Sequence, residues 1–430
     1  MLRALYQPLI NAVFSLMWPK LRDKYTEGYD ERRGSIPESK IEILRGARPF
    51  WVHGVSVGEV QAAIPLIKAA RAAGYRGPVV VSTTTETGKA MALRLGTELF
   101  DFHIYYPWDK KNYVQAALNA LNPWAFAALE TELWPNMLWE LRDRAVPAFL
   151  ANGRLSDRTM ERLRGFPGRA VGRHMYNLFT ELYLREDRDA DRLLNVGIAP
   201  SKLFVFGDSK IDALLERREY SDIAALRDKM EIGDAPVFIA GSTHIGEDEE
   251  VCRAFRIVKK EIPNAKLILA PRHPERIADI AGLFNGLHTT LFSSVTAGWD
   301  VLLVDRIGVL FELYGLSNAA FVGGSLVDKG GQNILEPAVW GVPIEHGPYM
   351  EDFTGPSEEL QRAGLVTKVS GADELAADWL RVMNELDRTE RFKAIAEDYF
   401  AVRSGAAQRT WQRISEYASR EGGTDAFDRS

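Results

Sequence analysis

Two stretches of the sequence carry carboxylates directly behind apolar runs that are typical of strands. The stretch HGVSVGE ends in Glu59, and the stretch LETELW carries Glu130 and Glu132. A carboxylate in such a place can accept a proton from a hydroxyl or stabilise a developing positive charge. Acidic residues in the first turn of a helix also stabilise the helix dipole, so both stretches have a purely structural explanation as well.

The residues around Ser56 allow three interpretations. Gly54, Ser56 and Gly58 have the G-x-S-x-G spacing of a serine-hydrolase nucleophile elbow, although only about fifty residues precede it. Ser56 and Glu59 also have the S-x-x-E spacing of a capping box, worth about 1 kcal/mol to a helix. Glu59 is therefore a helix cap, a catalytic base, or both at different times, and spacing alone favours the cap.

A glycine-rich block, FVGGSLVDKGGQNILEPAVWGVPIEHGP, occupies residues 321–348. It predicts a strand, a turn and a helix beginning near Gln332, with free backbone N–H groups directed at an anion in the turn. Glu336 would then suit the helix dipole or accept hydrogen bonds from sugar hydroxyls. An ordinary strand–helix turn has the same pattern, and the spacing matches neither the dinucleotide fingerprint nor the P-loop.

Cationic side chains follow one predicted strand of the second half. The APRHP motif places Arg272 and His273 where charge-assisted hydrogen bonds would hold a phosphate or carboxylate. Asp187 and Asp189 have the D-x-D spacing of metal-dependent sugar transferases, but a solvated helix face explains them more simply. The chain has no HExxH and no His/Cys cluster, so no metal is expected. The single cysteine, Cys252, fits helix packing and a reducing compartment.

The elements that must position these residues alternate along the chain in a regular way. Short β-rich runs separated by helical patterns predict α/β domains with parallel sheets and right-handed crossovers. Ligands of such sheets bind at the carboxyl ends of the strands. The predicted strands are Phe50–Val55, Pro78–Ser82, Ala125–Leu129, Pro147–Ala151, Leu203–Phe206, Val237–Gly241, Lys266–Ala270, Asp300–Val304, Ala319–Gly323 and Val366–Val369.

Length and charge bound the architecture. A chain of 430 residues is too long for one core and predicts two domains of ordinary size. A net charge of −6 argues against a sequence-independent nucleic-acid binder. We predict a membrane-associating helix at 1–20, domains at 35–207 and 221–388, a linker at 208–220, and a C-terminal helix at 389–420 that could pack back on the first domain.

The first helix differs from the rest of the chain. Ala4–Trp18 is uncharged, and residues 1–50 hold nine basic against six acidic residues, a net charge of +3. Fifteen residues span about 22 Å, short of the roughly 30 Å hydrocarbon core, so we expect a helix lying in the membrane interface, with a helix buried in the protein as the alternative. The polar stripe would be Gln7, Asn11 and Ser15, and the apolar side Leu5, Leu9, Val13 and Leu16.

Several of these stretches together resemble one family, the bacterial 3-deoxy-D-manno-octulosonic acid (Kdo) transferases. They are WVHGVSVGEV, STTTETG, LETELWPNML, NGRLS, APRHPER and FVGGSLV…GGQNILEPA, and they occur in the family's order. The resemblance implies a GT-B fold of two Rossmann-like domains facing a cleft. It implies transfer of Kdo from CMP-Kdo to a lipid A precursor at the cytoplasmic face of the inner membrane, in lipopolysaccharide assembly. It implies no metal and no cofactor beyond the donor substrate.

The resemblance also suggests roles for individual residues. Glu59 would be the general base, and Glu130 with Lys210 would stabilise the transition state. The CMP-Kdo-binding residues would be Pro271, Arg272, His273, Ile307, Gly308, Val309, Gly324, Ser325, Asn333, Ile334, Leu335 and Glu336. The chain departs from the family pattern at Gln332, Val309 and Asp352, where His, Glu and Asn are usual, and in GDSKID, which keeps Lys210.

Two other functions remain open on the sequence. A serine hydrolase acting through Ser56 would react with a fluorophosphonate probe. A non-catalytic membrane-bound protein that senses a sugar nucleotide would bind CMP without turnover. The sequence does not decide how many Kdo residues are added, the acylation of the acceptor, or the oligomeric state.

Overall fold

A computed structural model of the chain describes residues 2–385 and 387–420. The chain divides into two compact units. Unit 1 combines residues 2–213 with residues 403–420, and unit 2 is Leu214–Val402. Each unit contains one seven-stranded sheet in which neighbouring strands are parallel. The predicted pair of Rossmann-like α/β domains is therefore confirmed.

The strands and helices of the described residues alternate along both units. The strands are β1 (Phe50–His53), β2 (Val79–Thr83), β3 (Phe102–Tyr105), β4 (Ala125–Leu129), β5 (Ala148–Gly153), β6 (Glu181–Leu184), β7 (Leu203–Val205), β8 (Val237–Thr243), β9 (Lys266–Pro271), β10 (Thr289–Leu291), β11 (Val301–Leu303), β12 (Ala319–Val322), β13 (Ile344–His346) and β14 (Val366–Lys368). The helices are α1 (Leu2–Lys24), α2 (Tyr29–Arg32), α3 (Glu38–Leu44), α4 (Val57–Ala72), α5 (Glu86–Gly96), α6 (Lys111–Leu121), α7 (Pro135–Asp143), α8 (Asp157–Leu163), α9 (Gly168–Tyr176), α10 (Asp187–Val196), α11 (Ser209–Glu219), α12 (Ile223–Lys229), α13 (Glu247–Glu261), α14 (Ile277–Ala281), α15 (Leu310–Tyr314), α16 (Leu335–Ala338), α17 (Thr354–Ala363), α18 (Ala372–Asn384), α19 (Arg388–Ala401) and α20 (Ala406–Arg420).

Both sheets reverse their winding direction next to their first strand. The order in unit 1 is β3-β2-β1-β4-β5-β6-β7, so the chain moves outward from β1 and then returns to β4 on its other side. In unit 2 the order is β10-β11-β9-β8-β12-β13-β14, with the same reversal between β8 and β12. Such switch points leave a crevice at the carboxyl ends of the two central strands, which is where these folds bind ligands.

Helices cover both faces of the sheet in unit 1. Successive side chains of a strand point to opposite faces, so Trp51 belongs to one apolar cluster and Phe50 to the other. The C-terminal helix α20 belongs to the second cluster. Its Trp411 is 3% exposed and lies 5.5 Å from the Phe50 ring and 5.1 Å from the Tyr75 ring, measured between centroids. Residues far apart in the chain therefore close this core together.

Four strands are present that the sequence pattern did not predict, namely β3, β6, β10 and β13. They are three or four residues long, and β13 carries Glu345 and His346, both buried, so no apolar run marks it. Helix α11 occupies most of the segment predicted as a linker at 208–220. The segment predicted as one helix at 389–420 forms α19 and α20, separated at a turn where Gly405 has φ 80°.

Helix α1 packs one side on unit 1 and exposes the other. Phe14 is buried with its ring centroid 5.5 Å from that of Trp108, and the amide of Gln7 donates to the side chain of Asn136. Leu5, Leu9 and Leu16 are 64%, 62% and 82% exposed. The polar stripe therefore meets the protein at Gln7, and leucines of the apolar side are exposed. Among the described helices, none combines the length and the apolar character that crossing a bilayer requires.

Candidate active site

Two acidic residues of unit 1, Glu59 and Glu130, follow β1 and β4, the strands at the switch point of the sheet. Glu59 is in the first turn of α4, directly after β1, and its carboxylate accepts a hydrogen bond from the Val55 N–H. Gly54 allows this approach, because a Cβ at that position would lie only 3.2 Å from the Cβ of Glu59. Ser56 is the N-cap residue but its hydroxyl makes no capping bond; it donates to Glu59 over 3.4 Å.

The environment of Glu59 favours its protonated form. Burial raises the pKa of this carboxyl to about 7, with a smaller upward contribution from Glu130. The Val55 N–H, Lys210 and Ser56 act in the opposite direction and keep the pKa from rising further. A carboxyl group that titrates near neutrality can hold a proton and release it at similar cost, which suits a general base. Glu59 is in the first turn of α4 but does not complete the predicted capping box with Ser56, and its role as a base stays a prediction.

The geometry around Ser56 does not favour a serine hydrolase. Ser56 has φ −120° and extended backbone, without the strained turn of a nucleophile elbow. The nearby His53 is buried, its Nδ1 lies 3.0 Å from the hydroxyl of Ser82, and its ring stacks on Tyr106 with centroids 3.7 Å apart. Burial lowers the pKa of His53 to about 3. His53 is thus packed within the fold instead of paired with Ser56.

Glu130 and Lys210 form an ion pair beside Glu59. The Lys210 Nζ lies 2.5 Å from the Glu130 carboxylate, and a Cβ on Gly58 would be 3.5 Å from the same nitrogen. Glu130 directly follows β4 and has φ 59°, a left-handed conformation that is uncommon for a non-glycine residue. Such backbone conformations cluster at functional sites, where the surrounding structure maintains them. The three residues predicted to be catalytic are therefore brought together.

Hydrogen bonds between side chains and backbone fix the first turn of the helix that carries Lys210. The Ser209 N–H donates to Asn152 Oδ1 over 2.9 Å, and the Ser209 hydroxyl donates to the Ala62 carbonyl over 2.9 Å. The Lys210 N–H donates to Asp208 Oδ1 over 3.0 Å, and Asp208 forms an ion pair with Arg185. The first turn of α11 is thereby held against β5 and α4.

A third carboxyl group belongs to this cluster. The pKa of Glu132 is raised to about 7, mainly by burial and also by the charges of Glu59 and Glu130. The Trp134 indole opposes this rise by donating to Glu132 Oε2 over 2.6 Å. The sequence placed Glu132 beside Glu130 but gave it no role of its own. The charge of Glu59 contributes to the raised pKa of Glu132, so Glu132 lies close to the carboxyls predicted to be catalytic.

The glycine turn of unit 2 differs from its prediction. The N–H groups of Gly324, Ser325 and Leu326 do not point into an empty turn; they donate to the carboxylate of Glu247 over 2.7, 2.9 and 2.8 Å. Glu247 is fully buried at the start of α13 and also accepts from the His244 N–H. The amides predicted to hold an anion are therefore occupied by a protein carboxylate. A direct donor contact of Gly324 or Ser325 stays a prediction.

Arg272 and two histidines, His244 and His273, lie at the carboxyl ends of β8 and β9. Arg272 and His273 follow β9, Arg272 is exposed, and it forms no ion pair with the described residues. His244 follows β8, with its ring centroid 6.2 Å from that of His273. Burial lowers the pKa of His244, and so do His273, Lys329 and Arg272, whereas Glu247 raises it. The Nε2 atom of His244 is buried without a partner among the described residues. Sequence reasoning missed His244, which directly follows β8 but lies beyond the end of the predicted strand Val237–Gly241.

Two further predicted donor-binding segments are fixed by hydrogen bonds within unit 2. Ile307 is 82% exposed on a turn where Gly308 has φ 92°. Arg217 donates to the Gly308 carbonyl over 3.1 Å. Asn333 donates to Glu336 over 3.2 Å, and burial raises the pKa of Glu336. Helix α16 begins at Leu335, later than predicted. Two other predicted donor-binding residues are buried: Pro271, the last residue of β9, and Ile334, just before α16. Val309 is the N-cap residue of α15.

Two of the departures from the family pattern, Gln332 and Asp352, lie beside the glycine loop. The side chains of Gln332 and His244 flank Gly324, with Gln332 Nε2 3.3 Å from the position of an added Cβ. The Asp352 carboxylate would lie 2.8 Å from a Cβ added to Gly330. The backbone N–H of Asp352 donates to the Gly330 carbonyl over 3.0 Å. Gln332 and Asp352, which differ from the family pattern, therefore line the same loop.

The D-x-D pair has a structural explanation. Asp189 is 1% exposed, and its carboxylate accepts from the Leu155 N–H over 2.8 Å. It therefore fixes the backbone after β5. Across the residues the structure describes, no group of three or more His, Cys, Asp or Glu side chains is arranged to hold a metal ion.

Comparison with known proteins identifies the family. A family model described as 3-Deoxy-D-manno-octulosonic-acid transferase (kdotransferase) matches residues 27–213. The chain is 30% identical over 424 residues to the 3-deoxy-D-manno-octulosonic acid transferase of Haemophilus influenzae, and the match covers 96% of both chains. The chain belongs to the Kdo transferase family. The resemblance of the motifs is thereby confirmed.

Other relatives extend this match. The Kdo transferase of Aquifex aeolicus is 27% identical over 369 residues, covering 85% of this chain and 94% of that one. A bifunctional glycosyltransferase/methyltransferase of Fusobacterium nucleatum is 30% identical over 404 residues, covering 92% of this chain. The chain spans 61% of the length of that Fusobacterium protein.

Solved structures support the fold of this Kdo transferase family member. A UDP-GlcNAc 2-epimerase from Neisseria meningitidis aligns with a TM-score of 0.60, covering 87% of this chain and 100% of that one. A putative UDP-N-acetylglucosamine 2-epimerase from Listeria monocytogenes aligns with a TM-score of 0.61, covering 89% and 99%. Both are 16% identical to the chain, so they are similar in fold alone.

Proposed function

We propose that the protein is an inverting glycosyltransferase that moves Kdo from CMP-Kdo to a hydroxyl of a lipid A precursor in lipopolysaccharide core assembly. The observation that supports this best is the cluster of Glu59, Glu130 and Lys210 at the switch point of unit 1. Membership of the Kdo transferase family supplies the reaction class. The names of the relatives supply the sugar.

Glu59 would act as the general base of this reaction. One of its oxygens is held by the Val55 N–H, and the other has a longer contact, 3.4 Å, with the Ser56 hydroxyl. The less engaged oxygen of Glu59 would accept the proton of the acceptor hydroxyl while the hydroxyl oxygen attacks the anomeric carbon of Kdo. A pKa of about 7 makes a substantial fraction of Glu59 ionised at neutral pH.

Glu130 and Lys210 would act on the charge that develops during transfer. Displacement at an anomeric carbon passes through an oxocarbenium-like state, which a nearby carboxylate stabilises. Lys210 keeps Glu130 oriented through their 2.5 Å contact and supplies a positive charge for the carboxylate of the sugar. The left-handed backbone of Glu130 gives this pair a defined position at the end of β4.

The donor would bind to unit 2. Arg272, His273 and His244 lie where the phosphate of CMP and the carboxylate of Kdo need cations and hydrogen-bond donors. Asn333 and Glu336, joined by a hydrogen bond, would contact the hydroxyls of the nucleoside. The proposal assigns stabilisation of the leaving phosphate to these side chains, with no metal ion or cofactor.

We also propose that helix α1 attaches the protein to the cytoplasmic face of the inner membrane. The exposed leucines of α1 offer an apolar surface, and the N-terminal region has a positive charge of +3 over residues 1–50. These properties suit an anionic bilayer surface. A membrane position would give the protein access to a lipid acceptor whose acyl chains stay in the leaflet.

One assay tests the reaction. Purified protein, CMP-Kdo and a lipid A precursor should give CMP and a glycolipid heavier by one or more Kdo residues. Binding of CMP without either product would favour the sugar-nucleotide sensor. Labelling by a fluorophosphonate that Ser56→Ala removes would favour the hydrolase.

A further inference from the structure

A helical hairpin after β5 forms a strongly basic and exposed surface on unit 1. We call residues 154–176 the arginine hairpin; it comprises Arg154, α8, the connecting loop and α9. Between residues 154 and 173 it holds six arginines against two carboxylates, a net charge of +4 in a chain of net charge −6. The arginines are Arg154, Arg158, Arg162, Arg164, Arg169 and Arg173, all of them exposed.

None of these six arginines pairs with a carboxylate within the described part of the chain. The two acidic residues do not neutralise them, since Asp157 forms its ion pair with Arg192 of α10 and Glu161 is exposed. At the tip of the hairpin, Phe166 is 92% exposed, the highest exposure among the large apolar side chains the structure describes. The hairpin therefore presents a solvent-exposed aromatic ring on the same segment as its exposed arginines.

The hairpin is a packed unit whose other side is buried. Gly172 lies against Leu163, because a Cβ there would be 2.4 Å from Leu163 Cδ2, and a Cβ on Gly168 would be 2.0 Å from the Arg162 carbonyl. Met160 and Leu163 pack on the core of unit 1. These contacts hold α8 and α9 together, so the arginines and Phe166 are presented by a defined structure.

The hairpin shares a contact with helix α1. The Trp139 indole N–H of α7 donates to His174 of α9 over 2.9 Å. The same indole meets Tyr6 of α1 edge-on with centroids 5.5 Å apart, and the Arg3 guanidinium lies 5.7 Å from its centroid. Trp139 therefore places the start of α1 and the end of the hairpin next to each other on unit 1.

We propose that the arginine hairpin binds the surface of an anionic bilayer, with Phe166 inserted among the lipids and the arginines paired with lipid phosphates. The proposal rests on the membrane placement in the proposed function and adds a second contact to that of α1. Arginine forms bidentate hydrogen bonds with phosphate, and an aromatic ring at a bilayer interface buries its apolar part. Two contacts joined through Trp139 would fix the orientation of unit 1 on the membrane, which one helix leaves open.

The test is flotation of the full-length protein with phosphatidylcholine vesicles that either contain about 30% phosphatidylglycerol or lack it. Each basic residue near such an anionic surface gives roughly a fivefold gain in binding. The triple variant R162Q/R164Q/R169Q should bind the anionic vesicles about a hundredfold more weakly than wild type, three such factors combined. Phe166→Ser should also weaken binding. The control R45Q/R76Q, which neutralises exposed arginines before β1 and β2, should bind like wild type.

Several results would overturn the proposal. The first is a triple variant that floats as wild type does, and the second is equal binding of wild type to neutral and anionic vesicles. The third is an RNA homopolymer that displaces the vesicles and whose binding is lost in the triple variant. Thermal unfolding midpoints check that each variant is folded. Transfer to a detergent-dispersed acceptor is measured in parallel. Wild-type protein that floats through the hairpin but makes no product would contradict the proposed function and leave the hairpin supported.

Discussion

At the scale of single residues, the site depends on how burial changes ordinary side chains. Glu59 has the spacing of a capping residue, and its sequence context alone favours that role. Its proton affinity comes from burial and from Glu130, which is seventy-one positions away in the chain. A pattern of residue types reports neither, so the position of Glu59 was predictable and its chemistry was not.

Glu59→Gln should reduce the rate of transfer by about 10²–10⁴-fold, because the amide cannot accept the proton. Affinity for CMP should stay near the wild-type value, since the proposed donor contacts lie in unit 2. The wild-type rate should rise with pH through about 7, because burial raises the pKa of Glu59 and the ionised form is the active one. Glu86→Gln, an exposed first-turn acid of α5, is the matched control. Near wild-type turnover in Glu59→Gln would exclude the base role.

Arg272→Ala should raise the KM for CMP-Kdo by roughly 10–150-fold, which corresponds to the loss of one hydrogen bond to a charged group. The exposed guanidinium has no ion-pair partner among the described residues, so its loss leaves no carboxylate unpaired. Initial rates measured against donor and acceptor concentrations separate the two sites. Lys260→Ala, an exposed cation at the end of α13, should behave like wild type. Unchanged donor and turnover constants in Arg272→Ala would contradict the assignment.

The donor side shows where residue patterns stop being informative. Arg272 was predictable because two cationic residues directly follow a strand. Glu247 was not, since GEDEE has the appearance of an exposed acidic helix start, whereas Glu247 is fully buried against three amides. Asp248 beside it is also buried, paired with Arg276. Which of these neighbouring acids turn inward therefore depends on tertiary contacts, which for Glu247 are those with the glycine turn. His244 was missed for the same reason, as its neighbours come from β9 and from the loop after β12.

At the scale of elements, helix α20 completes the core of unit 1. Trp411→Ala should lower the free energy of unfolding of that unit by about 3–5 kcal/mol, since it removes a buried ring packed on Phe50 and Tyr75. Chemical denaturation followed by circular dichroism measures the change. Tyr220→Ala, which truncates an aromatic ring that is 80% exposed, should have little effect. Equal stability of the two variants would show that α20 is dispensable for this core.

Helix α1 gives a second prediction at this scale. Replacing Leu9 and Val13, which are 62% and 38% exposed, by Asp should release the protein from anionic vesicles. Transfer to a lipid acceptor should slow far more than CMP binding, because only the acceptor lies in the bilayer. Leu93→Asp, at a 40% exposed position of α5, serves as the control. If the double variant floats as wild type does, α1 is not the attachment element.

The strands were predictable where a β-rich apolar run marks them. Ten strands follow from such runs, and the parallel character of the sheets follows from helices alternating with strands. Length does not explain the four others, because the predicted strands β7, β11 and β14 have only three residues each. In β13 the cause is polarity, since two of its three residues are Glu345 and His346. Glu345 illustrates the cause, because the Trp379 indole donates to its buried carboxyl over 2.9 Å, a contact that only the assembled unit provides.

At the scale of the whole molecule, two units with separate sheets should unfold in separate transitions, as multidomain proteins commonly do. CMP should raise the unfolding temperature of one transition, with a stabilisation of about 2.7 kcal/mol at a hundredfold excess over its Kd. Trp411→Ala should lower the other transition. Scanning calorimetry with and without CMP measures both. A ligand shift in the transition that Trp411→Ala lowers would assign the donor to unit 1.

The carboxylate of Glu247 has a consequence for inhibitor chemistry. In many nucleotide-binding folds the glycine turn accepts a phosphate, so a phosphate mimic on an inhibitor of such a fold can bind there. Here three amides of that turn already bind a buried anion. An acidic warhead aimed at the turn would have to displace Glu247 before gaining those hydrogen bonds. A compound that leaves the turn alone and places its single acidic group toward Arg272 and His244 avoids that competition.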